Sequence, residues 1–218
     1  MIKAFFLDFY GTVVHEYVEV IKKITDIIYR TGKVNDKSEI GTFWWNDFQN
    51  MVNNSQGDTF ETQRVLEEKS LKHTLQHFCS SADYLELSKL MFEHWIHPPI
   101  FEESKSFFEH SPIPIYIVSN IDTCDILKAI KYHDLNPISV FTSEDAKAYK
   151  PRKELFQLAL KKTRLNANEV IHIGDSISSD IKGASALNIK ALWINRFGKE
   201  VPSGVESIGN LLEAINRI

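Results

Sequence analysis

Residues 2–14 read IKAFFLDFYGTVV. The run from Ile2 to Leu7 is short, apolar apart from Lys3 and rich in large side chains; Asp8 follows it directly, then Gly11 and Thr12. Continuous apolar character, in place of strict alternation, predicts a strand covered on both faces, as in a parallel sheet. Four later segments share the pattern: Ile113 to Val118, Ile138 to Phe141, Val170 to Ile173 and Ala191 to Ile194. Between the later ones, apolar residues recur at helical spacing: Ile126, Leu127 and Ile130; Leu155, Phe156, Leu158 and Ala159; Ile181, Ala184 and Leu187. Strand alternating with helix predicts an α/β fold, a three-layer Rossmann-like core around a mainly parallel sheet.

The interval between the first two strands, about Val14 to Pro112, is too long for one crossover. Helical patterns run near Val18 to Tyr29, Ile40 to Val52, Phe60 to Phe78 and Tyr84 to Trp95. Turn-like breaks fall at Gly32 to Lys37, Asn53 to Asp58 and Ser80-Ser81. Pro98-Pro99 marks the exit, because a residue before proline avoids helix. The expected division is therefore an all-helical cap over residues 15–97 inserted into a core of residues 1–14 and 98–218.

Composition narrows the functional classes. The chain has 218 residues, 43% hydrophobic and 25% charged, which argues against disorder or low complexity. A net charge of −4 gives no field towards phosphate backbones or anionic lipid, so neither nucleic acid nor a membrane is an expected partner. The longest apolar stretches are strand-sized, far short of the ~20 residues that span a bilayer. Two cysteines, Cys79 and Cys124, are too few for a disulfide framework, and no leader-like pattern opens the chain, so a reducing, cytoplasmic setting is expected. The oligomeric state is left open.

Ligands of open parallel sheets bind beyond the carboxyl ends of the strands. There the sequence supplies Asp8, then Ser119-Asn120, then Ser143 to Lys150, then Gly174-Asp175. Two carboxylates, a hydroxyl and a lysine before proline suit a metal ion and a small anionic substrate: carboxylates hold a hard cation, while Ser119, Lys150 and free backbone N–H groups hold oxyanions.

These residues carry a resemblance. Phe6 to Val13, with Asp8 and Gly11-Thr12, resembles motif I of the haloacid dehalogenase-like hydrolase superfamily. Ile117-Val118-Ser119-Asn120 is similar to its motif II and Tyr149-Lys150-Pro151 to its motif III. Ile173-Gly174-Asp175-Ser176, with Asp180, Gly183 and Ala184, is similar to its motif IV, and the helical insertion lies where that family's type 1 cap lies. The resemblance implies that Asp8 is a nucleophile forming a covalent aspartyl intermediate, and that Lys150 pairs with Asp8 and the substrate anion. It implies that Ser119, Asn120, Thr12 and Lys150 bind the phosphoryl group, Thr12 also fixing the turn that Gly11 permits. It implies a Mg²⁺ ion held by Asp8, the backbone carbonyl of Tyr10 and Asp175, with Asp180 supporting from a second position.

Tyr10 departs from the pattern. Most phosphatases of the superfamily place there a second aspartate that protonates the leaving oxygen; a tyrosine, with a pKa near 10, is a poor acid at neutral pH. Tyr10 joins Asp8 and Lys150 among the expected catalytic residues, since tyrosine there resembles motif I of the L-2-haloacid dehalogenases. Those enzymes need no metal and carry serine and asparagine where this chain has Asp175 and Ile177; their motif III tyrosine is Phe156 here. No arginine lies near positions 38–46, where theirs holds the substrate carboxylate; Arg30 and Arg64 are nearest. An added carboxylate repels a haloacid unless a cation lies between them. The expected activity is therefore a Mg²⁺-dependent phosphohydrolase favouring good leaving groups, with a 2-haloacid dehalogenase as the rival and a catalytically weak metabolite-binding protein as a third reading.

Other residues take ordinary roles. His94 and His97 beside Glu93 lack a third ligand and are expected at a surface or interface, His172 is read as a core histidine with a local partner, and Lys147 as solvent-facing. Trp44, Trp45, Trp95, Phe43, Phe48 and Phe92 are expected to form the insertion's core, one face of them closing over substrate.

Overall fold

The strands are β1 (Ala4–Leu7), β2 (Ile115–Ser119), β3 (Ser139–Thr142), β4 (Val170–Gly174), β5 (Lys190–Ile194) and β6 (Glu206–Ile208). They form one parallel sheet in the order β3-β2-β1-β4-β5-β6 in the computed structural model, which describes residues 1–16 and 18–218. β1 lies at the centre, Phe5 opposite Ile115 on one side and Ile171 on the other. Chain order runs outward from β1 in both directions, so the crevice at its carboxyl end is the switch point where such sheets bind ligands. The sixth strand, Glu-Ser-Ile, is too short and polar to be read from periodicity.

Both faces of the sheet are apolar, as continuous rather than alternating strands require. Phe5, Leu7, Ile117 and Ile173 point to one face, against Phe107 of α5 (Ser104–His110) and Ile126 and Ala129 of α6 (Thr123–Tyr132). Ala4, Phe6, Val118 and Val170 point to the other. There they meet Leu155, Phe156 and Ala159 of α8 (Lys153–Thr163) and Ala184 of α9 (Lys182–Ser185); the single turn α7 (Ser143–Ala146) follows β3.

Between β1 and β2 the chain forms α1 (Val18–Thr31), α2 (Lys37–Asn54), a short 3₁₀ turn (Gly57–Thr59), α3 (Gln63–His77) and α4 (Tyr84–Ile96). Ile24, Ile28, Trp44, Leu71, Met91 and Trp95 make its core, which continues through Phe9 and Val13 into one sheet face. Asp36 and Asp83 cap α2 and α4 by accepting from Ser38 N and Leu85 N. Helix α3 takes its cap from the other side of the molecule: Asp122 accepts from Gln63 N (2.7 Å) and Arg64 N (3.0 Å). Among the described residues no helix is long and apolar enough to cross a membrane.

Candidate active site

Asp8 leaves β1 still on its ladder, its N–H donating to Ile173 O (2.9 Å). Its Oδ1 accepts from Ser119 Oγ (2.9 Å) and Lys150 Nζ (2.8 Å); no described residue bonds Oδ2. Lys150 also donates to Asp180 Oδ1 (2.6 Å) and Val118 O (3.0 Å), so all three ammonium hydrogens are used. Asn120 fixes the lysine's backbone, its Oδ1 accepting from Lys150 N (2.7 Å) and its Nδ2 donating to Lys150 O (3.1 Å). The structure thus brings together Asp8, Ser119, Asn120 and Lys150 from three loops that leave neighbouring strands.

Asp175 and Asp180 complete an acidic cluster, one carboxylate oxygen each from Asp8, Asp175 and Asp180 lying within 4.8 Å of the others. Two glycines give the carboxylates room. A Cβ on Gly11, whose φ is +85°, would lie 2.5 Å from Asp175 Oδ2, and one on Gly174 would lie 2.2 Å from Asp180 Cγ. The electrostatics divide the three. Burial opposes ionisation of Asp180, but Lys150 and His172 overcome it and hold its carboxyl well below the usual range. Burial pushes Asp8 up, and Asp180 adds to this while Lys150 offsets part of it. Asp175 is pushed up to about 8, by burial and then by Asp8, Asp180 and Glu16. Burial alone would lower the Lys150 ammonium, yet Asp180 and Asp8 hold it well above its ordinary value.

A cation fits this donor set. Asp180 is already satisfied by Lys150, His172 Nε2 (2.9 Å) and Ser176 N (3.1 Å). Asp8 Oδ2, the Asp175 carboxylate and the Tyr10 carbonyl receive no hydrogen bond from the described residues, while the Asp175 backbone carbonyl accepts from Trp193 Nε1 (2.8 Å), so the free oxygen donors are those three. Hard oxygen ligands suit Mg²⁺ or Mn²⁺.

Two expected residues sit differently from the rest. The Tyr10 hydroxyl donates to Trp95 O at the end of α4 (2.5 Å), and burial, then Asp125 and Asp8, push its pKa well above 10. Thr12, expected at the phosphate, is fully buried and does not line the cavity; its carbonyl accepts from Arg196 Nη2 (2.6 Å). Its hydroxyl is buried without a hydrogen-bond partner among the described residues. His94 and His97 join no metal-ligating cluster among the described residues; His97 pairs with Glu93 (2.7 Å). Arg64 is committed to Asp125 through two bonds (2.7 and 2.6 Å) and lies over the Phe92 ring.

The cluster opens into a cavity of about 160 Å³ between the sheet edge and the insertion. Glu16, Trp45, Phe48, Gln63, Trp95 and Tyr149 line it with the residues above. Of these, sequence reasoning left out Glu16, Gln63 and Tyr149 as site residues. Tyr149 adjoins Lys150 and was within reach of that motif; Glu16 and Gln63 carry no signal in the chain. Among the described residues lining the cavity, Lys150 is the one basic side chain, against Asp8, Glu16, Asp175 and Asp180.

A buried aspartate at the central strand's end, tied to a lysine from the loop region two strands away and flanked by two more carboxylates beneath a helical insertion, defines a class. The profile of the haloacid dehalogenase-like hydrolases matches residues 2–188, and the chain belongs to that family. It resembles the HAD-hydrolase YfnB of Bacillus subtilis, with 32% identity over 84 residues that span 37% of this chain and 36% of that protein. The crystal structure of YfnB, described as bound to magnesium, superposes with a TM-score of 0.77 at 18% identity, covering 99% of this chain and 98% of that one. An L-2-haloacid dehalogenase of Xanthobacter autotrophicus gives 0.76 at 15% identity, covering 99% and 98%. A HAD phosphatase of Thermococcus onnurineus gives 0.68 at 20% identity, covering 100% and 97%. At these identities the structural likeness is one of fold, and it reaches both chemistries.

Proposed function

We propose that the protein is a Mg²⁺-dependent phosphohydrolase acting through an aspartyl-phosphate on a small phosphorylated metabolite with a good leaving group. The observation that carries this is the charge balance of the cavity: four carboxylates face one ammonium, and that ammonium is already shared between Asp8 and Asp180. Such a site calls for a cation, and among the described residues it offers no free positive group to a haloacid carboxylate. Asp8, the Tyr10 carbonyl and Asp175 would hold Mg²⁺, with Asp180 steadying Lys150; when bound, the ion would set positive charge against the phosphoryl oxygens.

In this reading Asp8 Oδ2 attacks phosphorus, and the bond from phosphorus to the leaving oxygen breaks with its electron pair on that oxygen. Lys150 and Ser119 hold Oδ1, which keeps the carboxylate ionised and aims the other oxygen. The backbone N–H at Asn120 would take a phosphoryl oxygen directly, and Ser119 and Lys150 would reach the others by exchanging bonds they now make to Asp8 Oδ1 or Val118 O. Water then cleaves the aspartyl-phosphate, releasing phosphate and restoring Asp8. The tyrosine hydroxyl is engaged with Trp95 and too weak an acid to protonate a departing alkoxide, which favours acyl and aryl phosphates. The insertion acts as the cap that closes over substrate. Two exposed, unpaired cysteines support a reducing, cytoplasmic setting.

The test is phosphate release from acetyl phosphate and p-nitrophenyl phosphate, with Mg²⁺ and with EDTA. Activity that requires both metal and Asp8 is expected; full activity in Asp8→Asn would sink the assignment. Tyr10 favours the second reading, a 2-haloacid dehalogenase, and chelator-resistant halide release from L-2-chloropropionate would establish it instead.

A further inference from the structure

Cleavage of an aspartyl-phosphate by water needs a group that takes a proton from the water, and Tyr10 does not supply it. Its hydroxyl donates to Trp95 O (2.5 Å), and burial holds the proton on it far beyond neutral pH. Most other ionisable side chains lining the cavity are committed as well. Asp8 carries the phosphoryl group at that stage, and Asp175 is a donor to the cation. Lys150 uses all three of its hydrogens and has no acceptor. Asp180 is tied to Lys150, His172 and Ser176 N, and the Tyr149 hydroxyl donates to Glu61 O (2.8 Å).

Among the described residues lining the cavity, Glu16 is the ionisable side chain left without a task. It forms no hydrogen bond or ion pair with any described residue and stands outside the acidic cluster. The chain fixes where it lies. His15 N donates to Pro99 O (2.7 Å) and Phe101 N to Val13 O (3.3 Å), with Val14 bridged to Ile100. The two crossings between core and insertion therefore run side by side as far as His15, and Glu16 is the next residue. Beyond it is a groove of about 450 Å³, lined also by His15, Phe101 and Lys199, with room for water. Glu16 and Asp175 line both spaces. Glu16 is near enough to Asp8 and Asp175 for mutual repulsion. Burial and then Asp8 raise its carboxyl above the ordinary value, Lys199 offsetting part, which makes it a better proton acceptor.

We propose that Glu16, on the crossing into the insertion, is the general base of the second half-reaction, in place of any side chain at position 10. The assignment rests on the phosphohydrolase reading. The oxygen of a water entering from the groove attacks phosphorus while the Glu16 carboxylate takes one of its protons. The bond from phosphorus to Asp8 Oδ2 breaks with its electron pair on that oxygen, so phosphate leaves and Asp8 is again ionised. Glu16 then returns the proton to solvent through the groove. A weakly basic leaving oxygen departs without a proton, so the base is needed only after the leaving group has gone.

Rapid mixing with p-nitrophenyl phosphate and Mg²⁺ separates the two half-reactions. Glu16→Gln is expected to release one equivalent of nitrophenolate per enzyme at about the wild-type rate, then to turn over about 10²–10⁴-fold more slowly than the wild type. Protein quenched during the slow phase should carry a phosphoryl group on the peptide that contains Asp8, seen by mass and removed by hydroxylamine. Asp8→Asn should show neither burst nor label. Glu16→Asp, which keeps the carboxylate, should recover at least about tenfold of the lost rate, which a merely structural role would not require. An undiminished steady rate in Glu16→Gln, or a loss without burst and label, overturns the base. In either case a wild type whose turnover depends on Asp8 leaves the phosphohydrolase reading standing. A wild type that releases no nitrophenolate and takes no label removes that reading, and the base with it. If Glu16→Gln fails to fold, Glu16→Ser is read by the same burst and label.

Discussion

The two walls of the cavity treat buried polar groups in opposite ways. On the sheet side Asp8, Ser119, Lys150 and Asp180 are bonded to one another and to the backbone of β2, so their geometry is set before a ligand arrives. On the insertion side Gln63, Glu67 and Trp95 each bury a polar atom that nothing among the described residues satisfies. In the proposed reaction the first arrangement suits a group that is always the same, the phosphoryl, and the second suits the part of a substrate that varies from one enzyme to another. Pre-organised charge stabilises a transition state, whereas unpaired polar atoms select the molecule that pairs them.

If the sheet side is held by its own bonds, removing Lys150 has the largest effect on stability. Lys150→Met leaves Asp8 and Asp180 buried without their cation, and breaking such a pair costs about 3–5 kcal/mol. For a chain of this length that is a fall of roughly 10 °C in Tm, read by thermal denaturation. An unchanged melt would mean the cluster tolerates its charges without the lysine. Next comes the joint between the two sides. Arg64→Met strands Asp125, which is fully buried, but Arg64 is 36% exposed and water replaces part of what is lost. About 2 kcal/mol in urea denaturation is expected, with a higher KM and little change in kcat, because Gln63 loses its neighbour's anchor.

That joint shows how far the amino-acid sequence could be read. The sheet side was legible because its residues follow strands directly: Asp8, Ser119 and Asp175 sit where continuous apolar runs stop, and strand order then brings them together. Asp180 fell within the same motif. The insertion's four helices were visible from periodicity, yet its contribution to the cavity was not, because helical spacing places a residue on a face without naming the face opposite. Gln63 and Glu67 look like solvated positions four apart, and only packing against α2 and α4 buries them. Nor does anything near Asp122 announce that it caps a helix 59 residues earlier. Thr12 misled in the reverse sense: it stands inside a motif, but the turn directs it into the protein and away from the cavity.

Glu67 gives the next smaller effect and a sign that distinguishes the two walls. Its carboxyl is pushed up to about 8 when folded against 4.5 ordinarily. Between those values the folded chain keeps a proton that the unfolded chain releases, so this group makes stability fall as pH rises from about 4.5 to about 8, then level off. Glu67→Gln removes the ionisation. The variant is expected to gain about 1–2 kcal/mol on the wild type between pH 5 and pH 8 in chemical denaturation, below the limiting slope of about 1.4 kcal/mol per pH unit because water reaching the carboxylate solvates the ion. A constant difference across that range would place Glu67 in contact with solvent or a partner, and the contrast between the walls would weaken.

The smallest effect belongs to Tyr10, which touches both sides at once. Its backbone carbonyl, two residues after Asp8, receives no hydrogen bond from the described residues, and its hydroxyl bonds the last turn of α4. Tyr10→Phe keeps the carbonyl and loses one hydrogen bond, about 1 kcal/mol of stability, and kcat/KM on aryl phosphates should fall only a few fold. A proton donor in the reaction would instead be worth about 10²–10⁴ in kcat. Tyr10→Asp carries the complementary expectation: an acid at that place should raise turnover of alkyl phosphates, which need protonation, more than that of aryl phosphates, which do not. A hundredfold loss of kcat in Tyr10→Phe would place the phenol in the chemistry, and the link between insertion and sheet would then belong to catalysis as well as to selection.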